Sequence, residues 1–199
     1  IDQDNTHIYQ PGLLFIPFGV YEPRDVKKPR GRFIPPGVTF LTSGIDVVDP
    51  EKREVRLNDG TSLPYDFLII ATGTRIVPEE TEGLVDGGWQ KNIFDFYTFE
   101  GAKALARFLR TWEGGRLVLN VAEMPIKCPV APLEFAFLSD TWLREKGLRD
   151  KTEIVYVTPL SGAFTKPVAS KALGHMLEER KVNLETDFYL MEVDAENRK

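Results

Sequence analysis

The order of segments from residue 116 onward restricts the fold more than any other feature of this chain. Arg116-Leu117-Val118-Leu119-Asn120-Val121-Ala122 reads as a buried strand, 133–146 as a helix and 153–158 as a second buried strand. Residues 168–181 read as an amphipathic helix through Val168, Ala172, Leu173, Met176 and Leu177, and 182–193 as further strand-like segments. A β-α-β-α-β order argues for an α/β fold with a parallel sheet. Where the first strand meets the first helix, a nucleotide-binding unit carries G-x-G-x-x-G, because glycines let backbone N–H groups approach a pyrophosphate. This chain has Glu123-Met124-Pro125-Ile126-Lys127-Cys128-Pro129-Val130-Ala131-Pro132 there. Pro125, Pro129 and Pro132 have no N–H to offer. The turn presents a thiol in place of a phosphate cradle, which points to sulfur redox chemistry.

The preceding residues supply more elements. Residues 98–112 have helical periodicity with Thr98 as N-cap; Gly114-Gly115 ends that helix, and Gly147 caps the next. Residues 38–41 and 45–48 are rich in β-formers, and 53–57 alternates. Asn58-Asp59-Gly60 signals a hairpin back into 61–63, a small β-meander. The apolar run in Tyr65-Asp66-Phe67-Leu68-Ile69-Ile70-Ala71-Thr72-Gly73 predicts a parallel strand buried on both faces. Residues 3–37 predict an ordered, ligand-facing loop, held by Tyr9, Phe15, Phe18 and Tyr21 among prolines. Ile1-Asp2 reads as the end of a strand and 194–199 as a polar turn, so the chain reads as an excerpt from a longer protein.

Composition removes several function classes. The chain has 199 residues and 42% hydrophobic content, enough for one large domain or two small ones. A net charge of −5 leaves no basic footprint for nucleic acid. No apolar run reaches the ~20 residues of a membrane span. One cysteine and two histidines form no metal-ligand cluster, and a lone cysteine forms no internal disulfide.

The run from Tyr65 to Thr74 resembles the second FAD-contacting motif of the two-dinucleotide-binding-domain flavoproteins, the pyridine nucleotide-disulfide oxidoreductase superfamily. Ile1-Asp2 resembles the end of that family's second strand, where an acid bonds the adenosine ribose. Cys128-Pro129-Val130-Ala131-Pro132-Leu133-Glu134 is similar to the cysteine loop of sulfide:quinone oxidoreductases. The resemblance implies a Rossmann-like fragment. Residues 1–93 would be a partial FAD-binding domain lacking the first strand and G-x-G-x-x-G, and 94–199 a second Rossmann-like domain. It implies FAD as cofactor, held by Asp2, Pro11, Thr72 and Gly73. It implies sulfide or sulfane sulfur and a quinone as partners, Cys128 as one of a redox-active cysteine pair, and Glu134 beside it. A homo-oligomer, cytoplasmic or on a membrane surface, is the expected setting. The partner of Cys128 lies in a later segment in that family, and a further family cysteine, often found in the FAD half, has no counterpart here.

The residues leave alternatives open. Cys128 could be an inert buried cysteine. Against that, it follows Lys127 and precedes a helix N-terminus, where thiolates are favoured. Glu134 suits the helix macrodipole, or a proton shuttle beside Cys128. His175 reads as a surface residue and His7 as a flavin neighbour. Phe164, Lys166 and Pro167 line a sulfur-side pocket or a plain loop. An NAD(P)H-dependent flavoprotein and a non-catalytic Rossmann scaffold are the rival functions. The first is opposed by the missing glycines and by a strand that ends at Thr158-Pro159 rather than at an acid.

Overall fold

A computed structural model describes residues 1–197. Arg198 and Lys199, the end of the expected polar turn, lie outside the described residues. The chain divides into two compact units, one of Ile1–Tyr9 with Pro23–Arg75 and one of Gln10–Glu22 with the residues from Ile76 onward.

In the first unit β1 (Thr6–Ile8) pairs antiparallel with β2 (Lys27–Pro29), and the short helix α1 (Pro23–Val26) precedes β2. β3 (Ile45–Asp49), β4 (Glu54–Leu57) and β5 (Ser62–Pro64) form the expected antiparallel meander. Its second turn follows the Asn58-Asp59-Gly60 signal. Gly60 has φ +85°, which costs a glycine little, and Asp59 Oδ1 accepts from the Thr61 N–H at 2.9 Å. Val55 and Leu57 point inward and are buried. The segment 65–73 is not the buried strand its sequence predicts. It is irregular, with Phe67 94% and Ile69 89% exposed. A strand buried on both faces needs ladder partners and a covering layer on each side. Among the described residues, this run has no ladder partner beyond that of the Tyr65 N–H, which bonds Arg53 O at 2.9 Å.

The second unit carries the parallel sheet. Helix α2 (Phe99–Leu109) begins where expected, because Thr98 Oγ1 accepts the Gly101 N–H at 3.0 Å. β6 (Gly115–Asn120), α3 (Ala131–Glu145), β7 (Thr152–Val157), α4 (Pro167–Glu179) and β8 (Val182–Glu185) follow. The strands lie in the order β6-β7-β8, all parallel, with Leu117 opposite Ile154 and Ile154 opposite Val182. Helix α3 stops at a Schellman motif. Gly147 has φ +68°, its N–H reaches Arg144 O at 3.0 Å, and the Leu148 N–H reaches Leu143 O at 2.8 Å.

Two apolar clusters fill this unit. One joins Leu133, Leu143, Ile154, Tyr156, Leu177 and Val182 around the sheet; the other joins Leu14, Phe96, Leu105, Leu109, Ala131 and Phe135. Helix α4 buries a narrower stripe than its periodicity predicts. Leu177 is buried and Leu173 packs on the core, but Val168 is 87% exposed and Met176 is exposed too. Of the strand-like run 182–193, only the first four residues pair in the sheet. Glu192 makes an isolated bridge to Glu82.

A buried charge locks α3 to its neighbours. Asp140, fully buried, accepts from Arg144 at 3.0 Å, Arg149 at 2.7 Å and Arg180 at 3.0 Å. Arg149 also donates to the carbonyls of Thr152, Arg180 and Lys181. One carboxylate thus ties α3 to the start of β7 and the end of α4.

Candidate functional site

Parallel sheets place ligand sites at the carboxyl ends of their strands, and β6 ends on the cysteine loop. The Val121 N–H still bonds Val157 O at 2.8 Å, extending the ladder one residue past Asn120. The chain then leaves the sheet and re-enters helix at Ala131, with Pro132 in the first turn. Cys128 lies in this loop with an exposed thiol and φ +53°. A left-handed backbone costs a residue with a Cβ about 1–2 kcal/mol, so something must hold it there. Its carbonyl accepts from two donors, the Ala131 N–H at 3.0 Å and the Tyr97 hydroxyl at 3.3 Å.

Cys128 lines a cavity of about 260 Å³ whose walls include Pro11, Phe15, Phe96, Tyr97 and Glu134. Two charged residues border a mostly apolar space. Lys127, which also lines it, donates from Nζ to Gln10 Oε1 at 3.0 Å. The ammonium is engaged by an amide across the cavity mouth rather than by the thiol. Burial pushes the Tyr97 phenol far above its ordinary range, and negative charge on Cys128, Tyr156 and Glu134 pushes the same way. Tyr97 therefore stays a neutral donor throughout the working pH range. Burial alone raises Tyr156, in β7, to about 12.

The remaining expected residues fall in different places. Pro11 and Glu134 share the cavity with Cys128; Glu134 sits exposed in the first turn of α3. Thr72 and Gly73 lie in the exposed irregular segment of the first unit. Asp2, in the same unit, is paired with Arg30 at 3.0 Å, and its backbone bridges Thr42. The His7 ring packs on Phe33 with centroids 4.3 Å apart. His175 is exposed beside Glu178 and Glu179. Phe164 packs against the sheet core, and neither it, Lys166 nor Pro167 lines the cavity. Thr158, fully buried at the end of β7, turns its hydroxyl onto the Leu160 N–H at 3.3 Å. Sequence reasoning missed Tyr97, although its place directly before the Thr98 cap fixes it at the start of α2. Among the described residues no cluster suits a metal ion, and no helix is long and apolar enough to cross a membrane.

No family model matches the sequence. The mitochondrial sulfide:quinone oxidoreductase of Dictyostelium discoideum is 26% identical over 199 residues, all of this chain and 44% of that protein. The mouse mitochondrial enzyme of the same name is 26% identical over 193 residues, 97% of this chain and 43% of that one. The chain thus spans under half the length of the curated relatives it matches. The X-ray structure of the sulfide:quinone oxidoreductase from Aquifex aeolicus superposes with a TM-score of 0.78 at 20% identity, covering 96% of this chain and 45% of that one. Along its length the chain is thus similar in sequence to sulfide:quinone oxidoreductases, and it shares the Rossmann-type α/β fold of the Aquifex aeolicus enzyme.

Proposed function

We propose that this chain is the sulfur-handling part of an FAD-dependent oxidoreductase that oxidises sulfide and passes the electrons to a quinone, with Cys128 as the atom that carries sulfur. One observation carries the reading: an exposed thiol, held in a left-handed backbone, forms part of the wall of a mostly apolar cavity at the carboxyl end of a parallel strand. Strain of this kind persists at positions where a side chain must be aimed.

The step assigned to this chain balances without an external oxidant. The Cys128 thiolate attacks the terminal sulfane sulfur of a polysulfide. A new S–S bond forms at Cys128 and one S–S bond of the polysulfide breaks. The shortened polysulfide leaves as the anion, and Cys128 becomes a persulfide. Glu134, on the same cavity wall, takes the thiol proton before attack and returns it to the leaving sulfide. The apolar walls formed by Phe15 and Phe96 exclude water from the sulfur chain.

The fit of FAD to these residues is divided. A cavity of about 260 Å³ with aromatic walls suits a flat ring or a small sulfur anion, and is too small for a whole dinucleotide. Among the described residues no glycine turn opens a helix to cradle a pyrophosphate, and a Cβ added at Gly73 would meet nothing within 4 Å. When bound, FAD supplies a two-electron acceptor. In this reading Asp2, Thr72 and Gly73, all in the first unit, are cofactor-binding residues. Residues 1–93 then belong to the FAD-binding domain and 94–199 to the second Rossmann-like domain, in a protein that works in the cytoplasm or at a membrane surface.

Two measurements test this. Incubated with polysulfide, the chain gains the mass of one sulfur atom, mapped to Cys128 and absent in Cys128→Ser; an equal gain in the variant defeats the proposal. Titrated with FAD, the chain quenches flavin fluorescence only at concentrations well above micromolar, because the phosphate cradle is missing. Sub-micromolar affinity would contradict the divided fit.

A further inference from the structure

The Cys128 loop is held by a residue far from it in sequence. Tyr97 and Cys128 are 31 positions apart, yet the phenol hydroxyl donates to the Cys128 carbonyl at 3.3 Å, and both side chains line one cavity. The Ala131 bond to that carbonyl is an ordinary part of entering α3. The Tyr97 bond is additional, and its donor is fixed from behind. The Tyr97 N–H bonds Asp95 Oδ1 at 2.9 Å, and the same oxygen accepts the Thr98 N–H at 2.6 Å. The neighbouring Phe96 ring stacks on Phe135 with centroids 4.6 Å apart and planes 9° from parallel. The hydroxyl therefore has little freedom to leave the carbonyl.

We propose that Tyr97 is a positioning residue for Cys128: its hydroxyl grips the Cys128 carbonyl, holds the left-handed backbone, and keeps the thiol at the cavity wall with that carbonyl's negative end satisfied by a donor. The proposal rests on the reading of Cys128 as the reactive thiol. The grip acts on position: with φ +53° held at Cys128, the thiol stays on the cavity wall that Tyr97 and Glu134 share with it. The phenol suits this task because burial, reinforced by charge on Cys128 and Glu134, keeps it protonated well into alkali. Nothing else would serve at this spot without changing the loop: a phenylalanine fills the same volume and lacks only the donor.

Tyr97→Phe is the test, read by iodoacetamide alkylation of the single cysteine across a range of pH. The expected result is a rate about 2- to 10-fold lower near pH 7, the worth of one hydrogen bond. The same reduction is expected near pH 9, because the hydroxyl acts on where the thiol sits. A melting temperature within about 4 °C of the parent shows that the fold survives. An unchanged alkylation rate means that the hydroxyl does nothing for the thiol and overturns the proposal.

A second measurement does not depend on that variant folding. The phenolate absorbance titration of Cys128→Ala should show one of the six tyrosines ionising at lower pH than in the parent, because a negative neighbour has been removed. An unchanged titration overturns the proposal. Neither readout uses FAD, sulfide or quinone. Loss of persulfide formation would therefore sink the functional reading while leaving the Tyr97 result standing, and the reverse also holds.

Discussion

Asp140→Ala will destabilise the second unit by about 3–5 kcal/mol, measured by urea denaturation at neutral pH, because it leaves the largely buried Arg149 guanidinium without its anion. The magnitude follows from unequal exposure. Arg144 and Arg180 are about half exposed and can turn to water, but the Arg149 side chain is only 12% exposed. Arg149 keeps three carbonyl partners and loses its one counter-charge. Asp140→Asn, which keeps the shape and part of the hydrogen bonding, should cost less. The pH dependence separates charge from packing. Burial pushes Asp140 up, but hydrogen bonds from Arg144, Arg149 and Arg180 outweigh it and hold the carboxyl below its ordinary value of 3.8. A carboxyl depressed in the folded state contributes stability that is fully present above the unfolded value and is lost as pH falls through the folded one. The gap between parent and Asp140→Asn should therefore be flat above about pH 5 and shrink below about pH 4. A gap that stays constant down to pH 2 would show that the carboxylate charge contributes nothing.

The parts of this molecule that were legible from sequence are those whose cause is local. Thr98 caps α2 because its hydroxyl needs only the N–H three residues on, and Gly147 closes α3 because only the next residue and the preceding turn are involved. The meander turn follows from Asn58-Asp59-Gly60 for the same reason. The parallel sheet was legible because the apolar stretches 117–119 and 154–157 and the start of β8 are each separated from the next by a helix-length segment. The run from Phe67 to Ile70 has the same local signature and stands exposed, since burial on two faces is supplied by neighbours and not by the run itself. Lys127 shows the limit at the site. Adjacency in sequence suggested that its ammonium would serve the thiol, but its long stem carries the charge to Gln10. Tyr97 was invisible for the opposite reason: its partner is a backbone carbonyl, which leaves no trace in residue identity.

Phe135→Ala carries the other large expected effect, a loss of about 3–5 kcal/mol in urea denaturation. Phe135 is 3% exposed on the face of α3 that meets residues brought in from three separate segments. Its ring stacks on Phe96, lies 5.0 Å from Phe18, and shares a cluster with Leu14, Leu105 and Leu109. Truncation removes the transfer energy of a phenyl group and leaves a void that aromatic neighbours, stiff and already packed against one another, fill poorly. Phe135→Leu, which fills most of that space, should lose less than half as much. A cost below about 1.5 kcal/mol for the alanine variant would mean that the cluster collapses into the gap, and that its packing is looser than the 9° stack implies. No titrating group is removed, so the loss should be the same at pH 4 and pH 7, unlike that of Asp140. The effect should also reach the thiol. Phe96 is the residue before Tyr97, so removing its stacking partner frees the segment that aims the hydroxyl at the Cys128 carbonyl. Alkylation near pH 7 should then slow in the same direction as in Tyr97→Phe, although no atom of Phe135 takes part in that hydrogen bond.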